Sequence, residues 1–198
     1  GAERQLSDAS YTVGGYLFTQ DLTGTGVEMV IPHQQVIVAN GDVQLDANYE
    51  GPSLHILAGG QVTQAPGVDA IIVTSATGGS VTETLSDGVG GIQAVTVTAT
   101  DQPTVDVRSG VNFAALTGTP PGNSNTSGLA VTFGDPAGQS IALDTITNHG
   151  GAIFLQSTED IAATLLDTSM TVTSVDEDVV GQDGGPITLI AGRDIALT

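Results

Sequence analysis

The chain has 198 residues, 39% of them hydrophobic, with 27 glycines, no cysteine, three basic residues (all arginine) and a formal charge of −19. The apolar content is enough for a core, while so few cations exclude nucleic-acid binding and disfavour docking on anionic lipid. The lack of cysteine excludes a disulfide framework and a thiolate site, and no apolar run approaches the about 18 residues of a membrane span.

Read from the amino end, the first repeated pattern is Val36 to Leu45 (VIVANGDVQL), two short apolar runs around Asn40-Gly41. Asn-Gly is also a hairpin turn signal. Leu54 to Thr63 (LHILAGGQVT) has the same form, with His55 on the face opposite Leu54 and Ile56. Thr77 to Gly91 reads as a loose, glycine-rich excursion. The pattern returns at Val105 to Ala114 (VDVRSGVNFA), followed by a loop at Thr117 to Gly128 that contains Pro120-Pro121. Ile153 to Ala162 (IFLQSTEDIA) and Ile187 to Ala196 (ITLIAGRDIA) complete the set. One helix competes with strands, over Thr158 to Asp167, where Thr158 is a fitting cap and Glu159 and Asp160 suit a first turn.

The five blocks start 18, 51, 48 and 34 residues apart, close to whole multiples of ~17. Short apolar-x-apolar strands at near-fixed spacing cannot bury their apolar side alone, so they predict coils stacked on one another. The fold expected is all-β, a single parallel β-solenoid over residues 1–198 with irregular loop excursions. At ~17–20 residues per coil the chain predicts roughly ten coils and a rod of about 50 Å. Ile56, Val62, Leu155, Ile161, Leu189 and Ile195 are expected to point inward.

Tyr11 to Asp21 (YTVGGYLFTQD), Ile31 to Asn40 (IPHQQVIVAN), Leu54 to Gly60 (LHILAGG) and the closing Gly184 to Thr198 (GGPITLIAGRDIALT) together resemble large exoproteins of filamentous-haemagglutinin type, in their cyanobacterial style. The matching blocks cover about half of the chain. The resemblance implies a right-handed β-helix, two-partner secretion, and an adhesive or fibre-forming role outside the cell. The family's amino-terminal secretion domain carries Asn-Pro-Asn motifs, and this chain has no Asn-Pro pair. It is therefore read as a processed product or fragment, interior or downstream, of a longer exoprotein.

The residues that carry chemistry are sparse. Asp106 and Arg108 share a strand face and read as a solvent-exposed ion pair rather than catalytic groups. His33, His55 and His149 have no metal-ligand spacing and read as exposed or loop residues. No hydrolase, metalloprotease or phosphate-loop motif occurs, so no enzyme is expected. Asp176, Glu177, Asp178 and Asp183 are the calcium candidate, offering hard oxygens in a glycine-rich stretch without an EF-hand pattern. Thr96-Val97-Thr98 and Thr171-Val172-Thr173 place threonines on one face but do not recur in successive coils, as an ice-binding face requires. Asn125-Thr126-Ser127 is a glycosylation sequon. The leading functional reading is an extracellular structural or adhesive rod or fibre subunit at the cell surface, without membrane insertion. The alternative is a carbohydrate- or calcium-dependent binding domain on the same scaffold. The partners expected are a surface or carbohydrate receptor and further copies stacked end to end, with Gly1 to Ser10 reaching the neighbouring unit.

Overall fold

The computed structural model describes residues 4–5, 11–14, 17–20, 27–30, 36–39, 41–46, 48–75, 80–86, 92–98, 102–111, 138–170, 174–175, 178–179 and 184–198. These residues are all-β, with no helix among them. Three parallel sheets dominate. The first contains β5 (Val36–Ala39), β8 (Leu54–Ala58), β13 (Thr104–Ser109), β16 (Ala152–Ser157) and β21 (Ile187–Ala191), side by side in that order. The second contains β6 (Val43–Leu45), β9 (Val62–Gln64), β14 (Ile141–Ala142), β17 (Ile161–Ala163) and β22 (Ile195–Leu197). The third contains β7 (Tyr49–Pro52), β10 (Ala70–Ser75), β15 (Thr145–Asn148) and β18 (Leu165–Asp167).

The chain visits the sheets in rotation, and each passage lies in register on the one before. In the first sheet Ile37, Ile56, Val107, Leu155 and Leu189 form one column. In the second, Val43, Val62, Ile141, Ile161 and Ile195 form another. Tyr49, Ile71, Ile146 and Leu166 line up in the third. Side chains of all three columns belong to one continuous apolar core. β-Branched residues at alternate positions suit this arrangement, because they pack well on a pleated surface and their stiff χ1 costs little on ordering. Tyr49 joins the core with its hydroxyl donating to the Pro52 carbonyl at 2.8 Å, and burial pushes its phenol up to about 12.

The corner between the first and second sheets has a fixed length wherever nothing is inserted. Ile37 and Val43, Ile56 and Val62, Leu155 and Ile161, and Leu189 and Ile195 are each six residues apart. The hairpin expected from the Asn40-Gly41 signal is not formed, since β5 and β6 on either side of it belong to different sheets; Asn40 itself lies outside the described residues. At the corner from the third sheet back to the first, Gly151 and Gly185 come very close to the preceding passage. A Cβ on Gly151 would lie 2.1 Å from the Pro103 carbonyl oxygen, and one on Gly185 would lie 1.8 Å from that of Gly151. Only glycine fits such a backbone approach.

Several expectations are corrected. Among the described residues the first sheet has five strands, so five passages are seen there against the ten expected, spanning about 20 Å at the usual strand spacing. Thr77 to Gly91 is not wholly loose: β11 (Ser80–Ser86) lies within it and pairs antiparallel with β12 (Ile92–Thr98). β1 (Arg4–Gln5) runs parallel to β11, so this part of Gly1 to Ser10 is paired within its own chain. Tyr11 to Asp21 holds β2 (Tyr11–Gly14) and β3 (Leu17–Gln20), which with β4 (Val27–Val30) continue the second sheet beyond β6. The helix expected over Thr158 to Asp167 is absent. β17 and β18 occupy that span, since strand neighbours, on both sides of β17 and on one side of β18, satisfy backbone that an isolated helical turn would leave open. The last short pair is antiparallel, β19 (Ser174–Val175) with β20 (Asp178–Val179). The loop at Thr117 to Gly128 and the sequon within it lie outside the described residues.

Ile56, Val62, Leu155 and Ile161 are fully buried, as expected from their spacing. Leu189 is partly buried against the core, and Ile195 is 48% exposed. Both continue their columns, but β21 and β22 are the edge strands of their sheets among the described residues.

Candidate functional site

Parallel sheets are usually covered on both faces, whereas the outer face of the second sheet is partly open: Gln44, Ala142 and Ala196 are exposed. The first sheet is covered on both. Every residue of β8 and β13 is buried, including those whose side chains point away from the core. The outward positions are His55 and Leu57 on β8, Asp106 and Arg108 on β13, and Phe154 on β16, none more than 4% exposed, with Gln156 of β16 beside them.

Register brings these residues together. Asp106 pairs with His55 on one side and Phe154 on the other, while Arg108 lies between Leu57 and Gln156. Arg108 Nε donates to Asp106 Oδ1 at 2.7 Å, and Nη2 reaches Oδ2 at 3.4 Å. Its Nη1 donates to Gln156 Oε1 at 3.1 Å. The guanidinium stands 4.3 Å from the centroid of the Phe154 ring, a cation–π contact. His55 Nδ1 lies 3.8 Å from Asp106 Oδ2, and neither ring nitrogen has a hydrogen-bond partner. The planar fork of Arg108 matches the carboxylate of Asp106 in two bonds and stacks on an aromatic face, which a lysine ammonium would not do.

The expected exposed pair is thus a buried one, and His55 is a buried residue rather than an exposed one. Alternation correctly placed Asp106, Arg108 and His55 on the face opposite the core column. It does not say whether that second face is covered. The signal that it is covered lay in Leu57 and Phe154, apolar residues at the same outward positions. His149 is exposed, with Nδ1 3.4 Å from the Ser169 carbonyl. His33 lies outside the described residues.

A second cluster lies at the first-to-second corner. Arg193 contacts Glu159 Oε1 at 2.6 Å, donates from Nε to Asp160 Oδ1 at 2.8 Å, and lies 3.7 Å from Asp194. The hydrogen bond from Arg193 holds the Asp160 carboxyl below the usual carboxylate range. The Arg193 side chain is 57% exposed, so water screens the cluster and it adds little to stability.

Of the calcium candidates, Asp176, Glu177 and Asp183 lie outside the described residues, and Asp178 is placed only as backbone in β20. Thr171-Val172-Thr173 lies outside them too, and Thr96-Val97-Thr98 falls on β12. Among the described residues no group of three or more His, Cys, Asp or Glu side chains is arranged to hold a metal. Adding calcium after chelation is expected to leave the melting temperature unchanged. A rise of several degrees that disappears in Asp176→Asn/Asp178→Asn would assign the ion to the acidic stretch.

A scan of protein-family models, a search of curated proteins and a search of solved structures each return no match to this chain.

Proposed function

We propose that the three parallel sheets are the faces of a right-handed parallel β-solenoid, and that the chain serves as an extracellular structural or adhesive rod of filamentous-haemagglutinin type. The observation that carries this reading is the constant register of five passages, whose first-to-second corner is six residues long in each of the four without an insertion. A repeated crossover between parallel strands of one sheet takes the right-handed course in nearly every protein. Such a stack is quasi-one-dimensional, and its natural use is to hold a length and present a surface. Burial of His55, Asp106 and Arg108 supports a non-enzymatic role, because a substrate has no open path to the acid, the imidazole or the guanidinium.

The stack is tested by cross-linking, since the chain has no cysteine of its own. Thr63 and Ala142 are neighbours in register on the outer face of the second sheet, at a spacing that a disulfide spans. Oxidised Thr63→Cys/Ala142→Cys is expected to be a cross-linked monomer; a chain that stays open while folded overturns the register. The functional reading is tested by immunogold labelling of intact cells that make the protein. Label on the surface or on filaments is expected, and label confined to the cell interior overturns the extracellular role.

A further inference from the structure

No further inference is drawn: the strongest candidate, the buried side-chain cluster of His55, Asp106 and Arg108 on the outer face of the first sheet, in which neither ring nitrogen of His55 has a hydrogen-bond partner, carries nothing, because nothing among the described residues shows what covers that face and so which groups meet the imidazole there.

Discussion

Asp106→Ala is expected to lower stability by about 3–5 kcal/mol, the cost of breaking a buried ion pair by removing one partner. Arg108 keeps its charge at 3% exposure and loses two bonds to the carboxylate. Little water reaches it, so the share of its desolvation that these two bonds offset is uncovered, while its bond to Gln156 and its stacking on Phe154 remain. For a chain of this size the loss corresponds to a fall in melting temperature of about 6–20 °C. Two comparisons separate this from a general packing defect. Asp106→Leu/Arg108→Met, which removes both charges and keeps the volume, is expected to recover most of the loss. The penalty should also change little between low and high salt, because a buried pair is poorly screened. A fall of less than 2 °C in thermal melts of Asp106→Ala would show that water reaches the pair and that the outer face of the first sheet is open.

Ile56→Ala is expected to cost about 2–5 kcal/mol, as large-to-small changes in closed cores do. Ile56 is fully buried, with Ile37 on one side and Val107 on the other in the same column. Ile195→Ala removes the same atoms from a residue that is 48% exposed on the edge strand β22. Its cost should stay below about 1 kcal/mol, because much of that side chain is already in water. The contrast reads the direction of stacking. Denaturant midpoints of the two variants that differ by less than experimental error would mean that position along the stack does not govern burial.

Much of this architecture was legible in the residues. The apolar-x-apolar pairs at Leu54 to Thr63 and Ile153 to Ala162 carry the register, because side-chain period 2 allows only one choice of inward face. What periodicity missed has a common cause. It reports which residues share a face and not what lies against that face, so His55 and the Asp106–Arg108 pair read as solvated. Leu57 and Phe154 on the same side were the counter-evidence. Dividing length by the repeat assumes that all the chain is repeat, and the described residues hold five passages of it. The helix at Thr158 to Asp167 failed because its expected cap and first turn serve the neighbouring passages instead: Thr158 Oγ1 accepts from Gln139 N–H, and Asp160 Oδ1 from Asp194 N–H. Ser, Thr and Asp satisfy backbone groups equally well at either kind of turn.

The corners set how this protein can vary. Val107 and Ile141 are 34 residues apart, where the equivalent residues of the next passage, Leu155 and Ile161, are six apart, yet both pairs keep their columns. Lengthening a connection between fixed ends adds little entropy cost, about 0.6 kcal/mol per doubling. The ladders therefore act as a chassis with interchangeable fittings. Segments of very different length can be carried at the corners while the rungs stay where they are. Such a molecule can change what it presents without changing its fold, and the same corners are the places to graft foreign sequence onto it.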